Sequence, residues 1–174
     1  MKISIDAWIP FSRPLVYATY RDKLLELVAY LPDVRQIEIK SQRQEAGRLY
    51  CINEWHGGGE IPAAARAVLS EDMLSWTEHN TWDETEFTLD WRIQTHAFTK
   101  AVHCAGNNRF IEDNGTTLIE SRGELTINPN QIEGVPSFLA GGIASIVEDF
   151  LAQKIGPNLQ QMSAGVRRYL EQSR

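Results

Sequence analysis

The chain has 174 residues, of which 43% are hydrophobic and 23% are charged, as is usual for a globular domain. Its net charge of -6 argues against a nucleic-acid partner, because such partners require a surplus of lysine and arginine. No window approaches the roughly 18 apolar residues of a membrane span, so we expect no integral membrane segment. The N-terminus lacks the apolar region of a secretion signal, and we expect residues 1–174 to form one cytoplasmic domain.

The residue types that most often ligate metals are scattered along the chain. Cys51 and Cys104 stand far apart without a CxxC motif, which favours two free thiols over a zinc site or a disulfide framework. The histidines lack the spacings of zinc sites and are expected at surface or structural positions. They are His56, His79, His96 and His103. The sequence therefore predicts no metal and no cofactor.

The N-terminal region predicts one strand followed by two short helices. Apolar residues alternate with polar ones up to Pro10, which is typical of a strand with one buried face. The apolar members are Ile3, Ile5, Ala7 and Ile9. Ser12 is a suitable N-cap for the first helix, and a second helix is predicted over 22–31, where Pro32 stops it.

The middle of the chain predicts strands connected as a meander. Residues 34–44 and 48–56 read as two strands joined by a tight turn at Glu45-Ala46-Gly47. Two further strands each place alternate residues on one face. Those residues are Leu74, Trp76, Glu78, Asn80 and Trp82 in the first strand, and Phe87, Leu89, Trp91 and Ile93 in the second.

A further hairpin is predicted around Asn114-Gly115, a dipeptide suited to a two-residue type I′ turn. With this turn fixing the register, the apolar and small residues of both strands fall on one face and the charged residues on the other. The predicted inward pairs are Phe110 with Ile119, Asn108 with Ser121, Gly106 with Gly123, and Cys104 with Leu125.

The last segment, from Ser137 to Leu170, has apolar residues at steps of three and four, which predicts a long amphipathic helix. Gly156-Pro157 interrupts it, and because proline lacks an N–H we expect a kink or a break there. Half-apolar strands and a one-sided helix favour an α+β fold in which a curved antiparallel sheet wraps around that helix.

The element order, the stretch 53–63, the Thr81-Trp82-Asp83 turn entry and the Ile155-Gly156-Pro157-Asn158-Leu159 tail together resemble the SRPBCC superfamily, the START/Bet v 1-like helix-grip proteins. Within that superfamily, the chain is similar to bacterial polyketide cyclase/lipid-transport and DUF2505-like proteins. The resemblance implies about seven strands around the C-terminal helix and an apolar ligand between them. Carriers, cyclases, aromatases and hydrolases share this fold, so the fold does not select a function.

Glu78 and Asn80 are the most informative candidate site residues. The register that turns Trp76 and Trp82 inward also buries these polar groups, and a buried carboxylate needs a hydrated cavity, a cation or an acid/base role. A β-bulge would instead turn both residues outward. The tryptophans suit a pocket wall or plain core packing.

The leading hypothesis is binding or transport of a hydrophobic small molecule, such as a lipid, sterol-like or polyketide-like compound, in a cavity of a few hundred Å³. The alternatives are a cyclase/aromatase-type or hydrolase-type enzyme using Glu78 as acid/base, or an interaction module without a ligand. A homodimer is compatible with each. The residues predicted to line the cavity are Ile5, Ala7, Trp76, Glu78, Asn80, Phe87, Leu89, Trp91, Cys104, Asn108, Ser121, Phe138, Ile143, Ile146 and Phe150.

Overall fold

The computed structural model describes residues 1–174, apart from the side chains of Ala64, Asp72 and Met73. Its strands are β1 (Lys2–Ile9), β2 (Val34–Glu45), β3 (Arg48–Gly57), β4 (Ser75–Asp83), β5 (Thr88–Thr95), β6 (Val102–Asp113) and β7 (Thr116–Ile127). Its α-helices are α1 (Arg13–Asp22), α2 (Leu24–Leu27) and α3 (Ser137–Gln172). Short 3₁₀ turns lie at Val28–Tyr30, Ala63–Ala65, Glu71–Leu74 and Pro129–Gln131.

The seven strands form one antiparallel sheet in the order β1-β7-β6-β5-β4-β3-β2. Helix α3 packs on the concave face, where it contacts β1, β7 and α1. The predicted fold class, a seven-stranded antiparallel sheet around a long C-terminal helix, is confirmed. Helix α3 contacts the sheet mainly at β1 and β7. The concave face of β3, β4 and β5 is therefore not filled by the helix in the same way.

The hairpin between β6 and β7 has the predicted turn and register. Asn114 has a φ of 51° and Gly115 a φ of 81°, the positive values that a type I′ turn requires. All four predicted inward pairs are present, including Asn108 opposite Ser121 and Gly106 opposite Gly123. A second turn of this kind, at Ala46-Gly47, joins β2 to β3. Turn chemistry therefore fixed which residues of these strands face the concave side.

The region after β1 differs in detail from the prediction. The side chain of Ser12 makes no capping hydrogen bond to α1. The second helix is shorter than predicted, since α2 ends at Leu27 and continues only as a 3₁₀ turn up to Tyr30. Both segments still bury one apolar side, with Val16 and Leu27 fully enclosed.

Helix α3 runs without interruption through Pro157, so of the kink or break expected there the break is wrong. The helix buries residues along its whole length, among them Val147, Leu151, Met162 and Val166. This packing outweighs the single backbone hydrogen bond that proline removes, since most helical stability in proteins comes from tertiary contacts. Among the described residues, no helix is both long and apolar enough to cross a membrane.

An aromatic cluster fills the core beneath α1. The ring of Tyr17 meets the rings of Trp82, Phe87 and Phe110 edge-on, with centroids 5.1 to 5.3 Å apart. Edge-to-face contacts at such distances stabilise a core beyond the area they bury. This part of the interior is closely packed, and of these four rings only Trp82 lines open space.

Candidate functional site

A cavity of about 100 Å³ lies between the concave faces of β3, β4 and β5 and the middle turns of α3. Its helical wall comes from one stretch of α3, and the residues of that stretch are Leu151, Lys154, Ile155, Asn158, Leu159 and Met162. The exposed lining residues, which include Asp22, Asp33 and Ile39, place its opening beside the start of β2. The cavity is smaller than the few hundred Å³ that the sequence suggested, because large side chains project into it.

Four tryptophans line this space: Trp55, Trp76, Trp82 and Trp91. The rings of Trp55 and Trp76, which are paired across β3 and β4, stack with centroids 5.5 Å apart and planes 15° from parallel. The fifth tryptophan, Trp8, lies on the other face of the sheet and is 54% exposed. The wall of the cavity is therefore built from flat, rigid rings, which suit a flat or aliphatic ligand.

The position of Trp91 depends on two glycines. A Cβ at Gly106 would lie 2.3 Å from the indole of Trp91, and one at Gly123 would lie 2.7 Å from it. Gly106 pairs with Trp91 on one side and with Gly123 on the other, so the ring lies flat across two strands. Its indole nitrogen donates a 3.0 Å hydrogen bond to Oδ1 of Asn108, whose Nδ2 donates to the hydroxyl of Tyr20 at 3.4 Å.

Polar side chains form a cluster within this aromatic wall. Asn53 on β3 stands directly opposite Glu78 on β4, and Asn80 lies two residues further along β4. Thr95 on β5 is paired with Trp76. Because alternate residues of paired strands project to the same face, these groups all reach the cavity.

Several buried polar atoms of this cluster have no hydrogen-bond partner among the described residues. They are Asn53 Oδ1, Asn80 Oδ1, Thr95 Oγ1, Trp55 Nε1 and Trp76 Nε1. Asn53, Asn80, Thr95 and Trp55 are each at most 6% exposed. An unsatisfied buried polar group costs about 1–3 kcal/mol, so a concentration of them around one cavity is informative about what the cavity contains.

Glu78 is the ionisable group at the centre of the cluster. Burial raises the pKa of Glu78 to about 7, a rise that the side chains of Asn80 and Trp76 partly oppose. The indole N–H of Trp76 lies near enough to contribute, although it makes no well-aligned hydrogen bond. No lysine, arginine or histidine among the described residues forms a salt bridge with Glu78. Near neutral pH the carboxyl group can therefore either donate or accept a proton.

The charge of Glu78 raises the pKa values of two neighbouring side chains, Tyr20 and Cys104. Burial, and then the Glu78 carboxylate, raise the pKa of the Tyr20 hydroxyl above its ordinary value. The same two causes raise the pKa of the Cys104 thiol to about 12. Cys104 and Cys51 are both free and buried, so these thiols are protonated at neutral pH and make poor nucleophiles.

The predicted lining residues divide into two groups. Six of them line the cavity: Trp76, Glu78, Asn80, Leu89, Trp91 and Asn108. The others lie elsewhere. Ile5 and Ala7 lie on β1, at the end of the sheet that α3 covers, and Phe87 packs on Tyr17. Cys104 and Ser121 are buried on β6 and β7 outside the lining, and Ile143, Ile146 and Phe150 pack into the core from the first half of α3. Phe138 is on the surface, 83% exposed.

The sequence reasoning missed Asn53, Trp55 and Thr95, as well as the stretch of α3 from 151 to 162. For β3 a signal was available, because Cys51, Asn53 and Trp55 are alternate residues of the predicted strand 48–56 and must therefore share one face. For α3 there was none, since all its turns carry similar apolar residues. Which turn crosses the open part of the sheet is decided only by how the helix docks.

One cluster on the outer face of the sheet has the geometry of a metal site. Single ligand atoms of Glu38, Glu54 and His56 all lie within 4.8 Å of one another. The ammonium of Lys40, however, lies 3.2 Å from Glu38 and 3.7 Å from Glu54. This cation neutralises the carboxylates where a metal would bind, so we interpret the cluster as a surface ion-pair network.

No family model matches the sequence, and no curated protein matches it. Solved structures do match its fold. A protein from Thermus thermophilus is 16% identical with a TM-score of 0.65, over 95% of this chain and 97% of its own. The ZhuI aromatase/cyclase from Streptomyces is 15% identical with a TM-score of 0.63, and the match covers 98% of this chain and 95% of the aromatase/cyclase. Norcoclaurine synthase from Thalictrum flavum is 13% identical with a TM-score of 0.54, and the match covers 87% of this chain and 92% of the synthase. The fold of this chain is thus the helix-grip fold that these solved structures share.

Proposed function

We propose that this protein binds a small, mostly apolar molecule in the cavity between β3–β5 and α3. The observation that carries the proposal is a tryptophan-walled cavity that is open to solvent beside β2 and has an isolated carboxyl group, Glu78, at its centre. Burial of apolar ligand surface contributes about 25 cal/mol per Å² to such binding, and the polar cluster orients the ligand. The likeness to an aromatase/cyclase and to norcoclaurine synthase supports a small-molecule site at the level of the fold.

The whole chain, residues 1–174, acts as one domain in this proposal, and its place of action is the cytoplasm. The two free buried thiols, Cys51 and Cys104, fit a reducing compartment. A ligand-free interaction module is the weaker reading. The exposed apolar side chains of Phe138 and Leu139 favour it, but they lie at the start of α3 and outside the cavity lining.

Native mass spectrometry of the protein purified from its own host tests the proposal. The wild-type chain should carry an additional small-molecule mass. Leu159→Phe adds a larger side chain to the cavity wall and should remove that mass, whereas Leu139→Phe, on an exposed part of the same helix, should retain it. An additional mass that survives in Leu159→Phe at the wild-type level, or is missing from all three proteins, would contradict cavity binding.

A catalytic role for Glu78 is the second candidate function. A carboxyl group with a pKa of about 7, facing a cavity and within reach of Asn80, can move a proton on a bound carbonyl compound. An enzyme of the cyclase, aromatase or hydrolase type would then show a pH–rate profile with an inflection near 7. Glu78→Gln should abolish turnover of a carbonyl substrate while its binding persists. Turnover that persists in Glu78→Gln would exclude this role.

A further inference from the structure

We infer that the natural ligand is a planar molecule whose buried edge carries both a hydrogen-bond donor and an acceptor, as in a cyclic amide. This inference rests on the proposed binding function and narrows it. It excludes plain hydrocarbon chains and sterol-like skeletons as the group that reaches the polar cluster.

The first step of the argument is the chemistry of the unpartnered atoms. The oxygens Asn53 Oδ1 and Asn80 Oδ1 are acceptors, while Trp55 Nε1 is a donor that cannot accept. Thr95 Oγ1 can do either. A ligand edge that offered only acceptors would leave the two asparagine oxygens unsatisfied, and one that offered only donors would leave the indole N–H unsatisfied.

The second step is the arrangement of these atoms on the sheet. Trp55 and Asn53 are alternate residues of β3, and both project to the same face. Their partners across the strands, Trp76 and Glu78, repeat the same order of an indole followed by an oxygen-bearing group. The residues with indole donors therefore belong to one row of the wall, and Asn53 and Glu78 to the neighbouring row on the same face, so a single ligand edge can meet groups of both kinds.

The third step concerns shape. Trp55 and Trp76 stack on each other with nearly parallel planes, and Trp82 and Trp91 also line the cavity. Rings of this kind favour contact with another flat ring. The cavity is small, about 100 Å³, but it opens to solvent on one side, so a second ring can extend toward the opening.

The test compares three bicyclic probes of similar size, namely 2-quinolone, quinoline and naphthalene. 2-Quinolone has adjacent N–H and C=O groups, quinoline has only an acceptor, and naphthalene has neither. Equilibrium dialysis against the wild-type protein should rank 2-quinolone first, at least about tenfold tighter than naphthalene, with quinoline between them. Equal binding of naphthalene and 2-quinolone would overturn this inference while leaving the proposed function standing. Failure of all three probes to bind would overturn this inference alone if the protein from its own host carries an additional small-molecule mass, and would overturn both if it carries none.

A matched pair of variants locates the effect. Asn53→Leu removes one acceptor from the wall and should weaken 2-quinolone about tenfold while naphthalene binding stays the same or improves. Asn107→Leu makes the same change on the opposite face of the sheet, where Asn107 donates to Asp90, and should leave all three affinities unchanged. Thermal melting of both variants checks that they fold. The inference is also overturned if Asn53→Leu folds and retains the wild-type preference for 2-quinolone.

Discussion

Asn53 on β3 pairs directly with Glu78 on β4, so an amide and a carboxyl group stand side by side on the tryptophan-lined wall of the cavity. Neither residue has a charged partner among the described residues, and Oδ1 of Asn53 has no hydrogen-bond partner at all there. Core positions of a sheet are normally apolar, because burying such groups destabilises the fold. The pair therefore costs stability where it stands, which is the cost that the proposed binding site would explain.

Glu78→Gln should change how stability depends on pH. Burial raises the pKa of Glu78 from 4.5 to about 7 in the folded protein, so the folded state holds a proton that the unfolded state has already released. The contribution of Glu78 to the free energy of unfolding is most favourable below pH 4.5. It is lost as the pH rises through 7, which lowers the free energy of unfolding by about 3 kcal/mol. Glutamine cannot ionise, so above pH 7 the variant should be more stable than the wild type by about that amount. Urea unfolding from pH 4 to 9 measures this, with Glu86→Gln at an exposed turn position as the control.

Gly106→Ala should destabilise the protein by about 2–4 kcal/mol. The added methyl group would lie 2.3 Å from the Trp91 indole and 2.4 Å from the carbonyl oxygen of Arg122, and neither the enclosed ring nor the backbone can move freely. Gly141→Ala, on an open face of α3, should instead stabilise it by about 0.5–1 kcal/mol, because alanine favours a helix. Thermal unfolding compares the stabilities of the two variants. Equal effects would show that the Trp91 indole does not need a glycine at position 106.

Asn108→Leu should destabilise the protein by about 2–3 kcal/mol. The variant keeps the branched shape of the side chain but leaves the Trp91 indole N–H without its acceptor and the Tyr20 hydroxyl without its donor, both in a buried setting. Chemical denaturation measures the loss. Asn107→Leu, whose side chain points to the other face, should stay within about 0.5 kcal/mol of the wild type. A neutral Asn108→Leu variant would mean that this hydrogen-bond chain does not support the wall.

Pro157→Ala should stabilise the protein by about 1–2 kcal/mol. Pro157 is exposed in the interior of α3, and alanine would restore the N–H that can bond to the carbonyl of Gln153. The gain is reduced because proline also restricts the unfolded chain. Calorimetry compares this variant with Pro136→Ala, at the N-cap of the helix, where no helical hydrogen bond is missing. No gain at position 157 would indicate that the helix is already bent to accommodate proline.

Local sequence patterns were enough to predict the strands and two of the four residues of the polar cluster, Glu78 and Asn80. Asn114-Gly115 fixed the β6–β7 register, and alternation around Trp76 turned Glu78 and Asn80 inward, as the structure has them. These inferences succeeded because a tight turn and a period of two leave a strand only two ways to face.

The sequence did not predict which turns of α3 line the cavity. The apolar stripe of this helix runs from end to end, so nothing local distinguishes Phe138 and Ile143 from Leu159 and Met162 as partners of the cavity. The meander predicted from the sequence makes β3 and β4 neighbours, but it does not fix the register that places Asn53 opposite Glu78 and Trp55 opposite Trp76, because the connection between them is long and has no tight turn. By itself the sequence determined the elements and the faces of its strands. Only the tertiary structure decided which faces meet, because contacts between distant segments depend on the packing of the whole chain.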